Sequence, residues 1–407
     1  MDLLPRGYDK VVQLIDKGVV APNPLSLDIG DDVDVNLISG DGVTLYPGCR
    51  LSGAKTVISA GCRLGAEGPV TLDGCRLGPK VELKGGYFKQ AVFLEKANMG
   101  LGAQVREGCL LEEEAGGAHC VGLKQTILLP FVTLGSLINF CDCLMAGGTS
   151  RKDHSEVGSS YIHFNFTPDG DKTTASLFGD VPRGVMLDQP PIFLGGQGGA
   201  VGPVRVGYGT VVAAGSVLLH DILEDGKLVA AVPPPGFERD HHPRTYKNLA
   251  RLVRNNVIYL ANLVALEEWY RKVREPFFAK QEMGLLVYEG ALEMLSLAKE
   301  ERTKRLIAMA GKVPDSSAAG PELRERVGEV CAVFGEYPGT PGRPEFLDAF
   351  QPGAAAAAAG YIETIQGFTP GLRALGVQWL QQIVDALCGE ADALLRSMDL
   401  FEDEYKR

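Results

Sequence analysis

An aliphatic residue followed directly by glycine recurs along the chain from about residue 25 to residue 220. Examples are Ile29-Gly30, Leu64-Gly65, Leu134-Gly135 and Val206-Gly207, often at spacings of six, seven or thirteen residues, with short β-favouring pieces between them. Each unit predicts one short strand and one corner, with its aliphatic residue pointing inward, and many units must stack to bury those residues. A β-sandwich would instead alternate apolar and polar residues over about four to eight positions. We therefore predict a parallel β-solenoid.

The pattern changes after residue 220. A proline-rich stretch contains Pro233-Pro234-Pro235-Gly236, which prevents continued strand pairing. Apolar residues then follow helical i, i+3, i+4 and i+7 spacing, and residues 7–19 predict one further helix that caps the open end of the solenoid. The tract Ala354–Ala359 predicts a short helix or a surface connector. We expect a mainly β protein with an N-terminal cap at 1–24, a β-helix at 25–220, a linker at 221–244 and an α-helical domain at 245–407.

Charge and composition narrow the class of protein. The 407 residues carry a formal net charge of −11, which disfavours nucleic-acid binding. No stretch reaches the roughly 20 apolar residues of a membrane span. The nine cysteines fit no zinc spacing, and Cys49, Cys62, Cys75 and Cys109 each follow a glycine, which favours a packed ladder over a metal site. The odd cysteine count and a start without a signal peptide predict a cytoplasmic protein.

Three segments resemble the acetyltransferase half of the bifunctional GlmU family. They are GGTSRKDH at 147–154, YIHFNFTPDGDKTT at 161–174 and FLGGQGGAVGPVRVGYGTVVAAGSV at 193–217. The second is the most specific, because a plain solenoid coil does not require such a loop. The resemblance implies a left-handed parallel β-helix that assembles as a homotrimer. It also implies N-acetyl transfer from acetyl-CoA to an amino sugar phosphate or a nucleotide-linked amino sugar.

The resemblance also assigns roles to individual residues. His154 aligns with the family's catalytic histidine, and we expect Asp153 or Glu156 to orient its ring. Arg151 and Lys152 form a basic pair suited to phosphate, while Asn165 and Lys172 match the asparagine and lysine of the family's loop. His163 is either a second candidate base or a wall residue of the solenoid. Gly196 and Ala214 match positions that border the acyl donor.

Several positions depart from the family pattern. Phe166 replaces a tyrosine, Ala231-Val232-Pro233 replaces a segment ending Arg-Val-Pro, and 181–191 is an insertion. These departures keep a second hypothesis open, in which the chain is a non-catalytic solenoid that binds partners through its helical domain.

Two further enzyme classes fit the sequence less well than the acyltransferase. Solenoid-plus-helix proteins named UDP-N-acetylglucosamine pyrophosphorylases are similar, but residues 1–18 lack the strand and glycine-rich loop of a nucleotidyltransferase, so we expect no uridylyl-transfer site. A zinc hydratase with this solenoid needs a close H-x-x-x-x-H pair, which His119, His154 and His163 do not form. We therefore expect no metal.

Overall fold

The computed structural model describes residues 4–232, 235–246, 248–335 and 344–401. It confirms the prediction of a parallel β-solenoid followed by a helical region. The last solenoid strand, Leu228–Val229, lies in the stretch predicted as linker. Pro233 and Pro234, which are predicted to end strand pairing, lie outside the described residues.

Short parallel strands stack into three ladders, and these form three faces of the coil. The first face contains Asp28–Ile29, Arg50–Ser52, Val70–Asp73, Gly86–Lys89, Ala103–Val105, the starts of Val121–Leu128 and Ile138–Met145, and then Ile162–Phe164, Gly199–Val201 and Val217–Leu218. The second face contains Val57–Ile58, Arg76–Leu77, Ala91–Phe93, Cys109–Leu111, the ends of Val121–Leu128 and Ile138–Met145, and then Ser176–Phe178 and Arg205–Val206. The third face contains Thr44–Leu45, Arg63–Leu64, Glu82–Leu83, Asn98–Met99, Gly116–Gly117, Thr133–Leu134, Glu156–Val157, Phe193–Leu194, Val211–Val212 and Leu228–Val229.

Successive turns are in register, so that equivalent residues lie above one another. Ala91 pairs with Cys109, eighteen residues later, which is three units of six. Inward-pointing residues therefore form continuous ladders, such as the one that runs from Leu51 through Leu72 to Phe88. These side chains are fully buried, and each contributes roughly 1.5–3 kcal/mol through removal from water. The four cysteines predicted to form a ladder are buried in the same interior.

Helices lie at both ends of the chain, and one short helix, α2, lies between two solenoid strands. They are α1 (Tyr8–Asp16), α2 (Val181–Gly184), α3 (Leu249–Trp269), a π-helical turn (Tyr270–Arg274), α4 (Glu275–Phe278), α5 (Gly284–Ala310), α6 (Gly320–Ala332), α7 (Glu345–Ala349), α8 (Pro352–Ala358), α9 (Tyr361–Gln366) and α10 (Pro370–Leu394), with short 3₁₀ turns at Pro24–Ser26 and Val35–Leu37. Helix α1 packs on the first turn of the solenoid through Val11 and Leu14. Most of the alanine tract lies in α8. Within the described residues, no helix is both long and apolar enough to cross a bilayer.

The C-terminal helices cover the second face of the solenoid. Helix α5 packs on the strands of this face, and α3 packs beside them. The outward-pointing residues Val92, Leu110, Ile127 and Leu144 are consequently as buried as the inward ones. The solenoid and the helical region therefore share one continuous hydrophobic core.

The first and third faces present apolar side chains to solvent in the last turns of the coil. On the first face these are Ile162, Phe164 and Val201, and on the third face Phe193, Val211 and Leu228. All six are at least 37% exposed. We call these two sets the first-face stripe and the third-face stripe.

Candidate functional site

The segment that carries His154 is a β-hairpin projecting from the coil. Its strands Gly148–Ser150 and Asp153–His154 pair antiparallel. Gly148 has a φ of +96°, and a Cβ atom at this position would lie 2.5 Å from the Cα of His154. Glycine therefore lets the two strands close. We call residues 147–155 the His154 hairpin; it leaves the coil at the corner between the second and third faces.

The imidazole of His154 is held by hydrogen bonding in one orientation. Its Nδ1 lies 3.0 Å from the carbonyl oxygen of Arg151. Because a carbonyl only accepts, Nδ1 donates, and the neutral ring has its lone pair on Nε2. Nε2 lies 3.7 Å from a carboxylate oxygen of Glu156, whereas Asp153 instead accepts a hydrogen bond from Thr149. Of the two acidic residues expected to orient the ring, Glu156 is the one beside it.

The two basic residues of the hairpin have different surroundings. The Arg151 guanidinium donates to the carbonyl oxygen of Glu114 at 2.7 Å and to Oγ1 of Thr133 at 3.1 Å. Arg151 thus fastens the hairpin to the preceding coil. Lys152 is exposed beside it, at the tip of the hairpin.

Asn165 and Lys172 lie on a second projecting segment. Residues 165–175, the Asn165 loop, leave the coil at the corner between the first and second faces. The side-chain amide of Asn165 donates to Oδ2 of Asp142 at 2.7 Å, and Oδ1 of this buried aspartate accepts from Arg302 of α5 at 2.5 Å. Arg302 also donates to the carbonyl oxygen of Lys172 at 3.3 Å. A buried ion pair therefore holds this loop against the helices.

His163 lies inside the solenoid. It continues an interior ladder between Phe140 and Ala200, and its Nε2 is 2.7 Å from Oγ of Ser176. Burial lowers the pKa of His163 to about 4, even though the nearby Asp142 acts in the opposite direction. A neutral, enclosed imidazole at this position corresponds to the wall residue, the second of the two interpretations given to His163.

Gly196 and Ala214 lie at the remaining corner, between the third and first faces. Gly196 is half-buried and Ala214 is exposed, and the carbonyl oxygen of Gly196 accepts from the backbone N–H of Gly215 at 3.0 Å. The structure thus places the His154 hairpin, the Asn165 loop and this glycine-rich corner at three different corners of one coil. A single chain does not bring them together.

Sequence reasoning missed a buried charged cluster under the helices. The Arg274 guanidinium forms an ion pair with Oε2 of Glu112 at 2.9 Å, donates to Oε1 of Glu113, and lies 3.9 Å from the ring centroid of Tyr361. The Tyr270 hydroxyl donates to the other oxygen of Glu112 at 2.6 Å. Burial raises the pKa of Glu113 to about 7, although Arg274 acts to lower it. The only signal in the sequence is three consecutive glutamates directly after an apolar strand.

A cavity of about 800 Å³ lies beside this cluster, between the solenoid corner and helix α9. Glu113, Glu114, Tyr361 and Gln366 are among its lining residues. Gln366 donates to the carbonyl oxygen of Thr149 at 2.6 Å, and Arg151 contacts Glu114. The His154 hairpin therefore borders the cavity.

Comparisons with known proteins support a resemblance to GlmU over about half of the chain. The chain is 28% identical over 237 residues to the bifunctional protein GlmU of Acinetobacter baumannii (strain AYE), covering 54% of the chain and 44% of that protein. It is 27% identical over 223 residues to GlmU of Trichlorobacter lovleyi, covering 54% of the chain and 43% of that protein. This chain resembles GlmU.

The similarity to GlmU covers only part of each protein. GlmU of Lawsonia intracellularis is 25% identical over 148 residues, which is 36% of the chain and 28% of that protein. The chain thus spans less than half the length of these GlmU proteins. No protein-family model matches the chain. The similarity to GlmU and the parallel β-solenoid together support a relationship to hexapeptide-repeat acyltransferases.

Proposed function

We propose that this protein transfers an acetyl group from acetyl-CoA to the amino group of an amino sugar phosphate or a nucleotide-linked amino sugar. The observation that carries the proposal is the His154 hairpin. It presents an imidazole whose lone pair is on Nε2, next to a carboxylate, together with the exposed Lys152. The similarity to GlmU gives the reaction class.

His154 acts as the general base in this proposal. The acceptor nitrogen attacks the thioester carbonyl carbon, a C–N bond forms, and the C–S bond breaks to release the CoA thiolate. Nε2 of His154 takes the proton from the nitrogen and passes it to the thiolate sulfur. Glu156, 3.7 Å from Nε2, stabilises the imidazolium that forms between these steps. Lys152 provides a positive charge for the acceptor's phosphate.

The proposed active unit is a trimer. A ring in which the first face of one copy packs on the third face of the next would bury both apolar stripes. The helices on the second face would then stay on the outside. The Asn165 loop borders the first face and the His154 hairpin borders the third, so this arrangement would bring the loop of one copy towards the hairpin of the next. Gly196 and Ala214 border both faces.

The first experiment measures thiol release from acetyl-CoA in the presence of glucosamine-1-phosphate or UDP-linked amino sugars. We expect release with one acceptor and a loss of at least about a hundredfold in kcat for His154→Ala, because general bases contribute about that much or more. His119→Ala is the matched control, since His119 lies on another corner and contacts Ser136. Release that is unchanged in His154→Ala would remove His154 from the mechanism. If the wild type releases no thiol with any acceptor, the non-catalytic solenoid becomes the better hypothesis.

A second experiment tests whether neighbouring copies share the site. His154→Ala and Asn165→Ala variants are each expected to be inactive, and they are co-expressed and purified together. In a random ring, about a quarter of the sites would combine an intact hairpin with an intact loop, so activity should return to about a quarter of the wild-type value. Adding Phe164→Asp to both chains should abolish this recovery and lower the oligomeric mass. Mixed trimers without activity would show that the two residues do not act in one shared site.

A further inference from the structure

The cavity between the solenoid and helix α9 contains a buried carboxylate that uses only one of its oxygens. Oε1 of Glu113 accepts from Arg274, whereas Oε2 is buried and has no hydrogen-bond partner among the described residues. The Glu113 side chain is only 10% exposed and lines the cavity. An unpaired buried acceptor of this kind destabilises the protein unless a bound molecule donates to it.

The charged residues around the cavity indicate whether a bound molecule should be a cation or an anion. Besides Glu113, its walls carry Glu95, Glu114 and Glu363 against Lys96 and Lys280. Lys96 is already shared between Glu95 at 3.7 Å and Glu114 at 3.4 Å. The excess of negative charge disfavours phosphates and carboxylates and favours a cation.

The residues that line the cavity favour an organic cation over a metal ion. In the part of the chain that the structure describes, no group of three or more His, Cys, Asp and Glu side chains is arranged to hold a metal ion. The remaining walls include the aromatic rings of Phe277 and Tyr361 and the apolar residues Ala358, Ala359 and Ile362. Aromatic faces attract ammonium groups, and the volume of about 800 Å³ is in the range of small-molecule sites.

We propose that this cavity binds a small primary amine whose ammonium group donates a hydrogen bond to Oε2 of Glu113. This inference concerns binding alone and does not depend on acyl transfer. The ammonium supplies the donor that Glu113 lacks, and its charge offsets the excess of carboxylates. The site is formed jointly by the solenoid corner and the appended helices, so it needs both parts of the chain.

The test compares two amines with their hydroxyl counterparts in calorimetric titrations without acyl donor. The pairs are 1,4-diaminobutane with 1,4-butanediol, and glucosamine with glucose. We expect at least one amine to bind about tenfold or more tightly than its counterpart, because a charged ammonium group makes a stronger hydrogen bond to a carboxylate than a neutral hydroxyl does. If neither amine binds more tightly than its counterpart, the proposal is overturned.

Two variants locate the binding. Glu113→Gln should weaken the amine by about tenfold, since the amide keeps the size of the side chain but not its charge. Glu112→Gln is the matched control, because Glu112 contacts the same arginine but has a partner on both oxygens and is not among the cavity-lining residues. It should leave the affinity within about threefold. Equal losses in both variants would contradict the assignment, and so would an unchanged affinity in Glu113→Gln.

Discussion

Replacing Arg274 with methionine should destabilise the helical region strongly. The guanidinium is 1% exposed and contacts the carboxylates of Glu112 and Glu113, so its removal leaves two carboxylates buried without their cation. Breaking a buried ion pair from one side costs about 3–5 kcal/mol, and the lost contact with the Tyr361 ring adds to this. We expect a loss of about 4 kcal/mol in the free energy of unfolding.

Urea unfolding followed by tryptophan fluorescence measures this loss. The chain has two tryptophans, Trp269 and Trp379, and both lie in the helical region. Trp269 donates to the Tyr361 hydroxyl at 2.9 Å, next to the cluster. Arg271→Met is the control, because Arg271 is 49% exposed and its pair with Glu267 should contribute less than about 1 kcal/mol.

Two further measurements separate buried charge from lost packing. Adding Glu112→Gln and Glu113→Gln to Arg274→Met should restore most of the stability, since the carboxylates are then gone.

The effect of Arg274→Met should also be smaller at pH 5 than at pH 8. Glu113 has a pKa raised to about 7, so at pH 5 it is protonated and has no charge for Arg274 to balance. As the pH rises through 7 the side chain ionises inside the protein, and the stability that its protonated form provides is lost. A loss below about 1 kcal/mol, or a triple variant no more stable than the single one, would refute the reasoning.

Two other predictions concern the hairpin and the solenoid interior. Gly148→Ala should reduce the rate of acetyl transfer at least about tenfold, because about 1–3 kcal/mol of backbone strain would displace His154. Gly226→Ala is the control and should leave the rate unchanged, since a Cβ atom there would meet nothing within 4 Å. Equal rates for both variants would contradict the role of Gly148. His163 has a folded pKa of about 4, below its ordinary value of 6.5, so the wild type should lose up to about 3 kcal/mol as the pH falls from 6.5 to 4. Thermal unfolding of His163→Leu should show a flatter pH dependence over this window, and an identical profile would contradict the buried neutral state.

The solenoid was predictable because its signal is local. Each aliphatic-glycine unit specifies its own strand and corner, and the inward residues follow from the repeat. The face that the helices cover is also marked in the sequence. The strands Ala91–Phe93 and Cys109–Leu111 are apolar at consecutive positions, which is typical of strands buried on both sides.

The contacts between the two parts of the chain were not predictable in the same way. Helical periodicity shows that a helix has an apolar side, but not which surface that side meets. Arg274 and Glu113 lie 161 positions apart, and Arg302 and Asp142 lie 160 apart. Such pairs depend on the tertiary packing of the helices, so the cavity beside Glu113 became visible only in the structure.

Helix α5 changes how the solenoid should unfold. Stacked repeats contact only their neighbours, so coils at the end of an array ordinarily fray one at a time. The 27 residues of α5 span about 40 Å, roughly the height of eight coils. Glu282, just before α5, accepts from Ser39 near the start of the solenoid, and Arg302 reaches Asp142 much further along. Early coils cannot detach without releasing the helix that also holds later ones, so the helical cover turns a modular array into one cooperative unit.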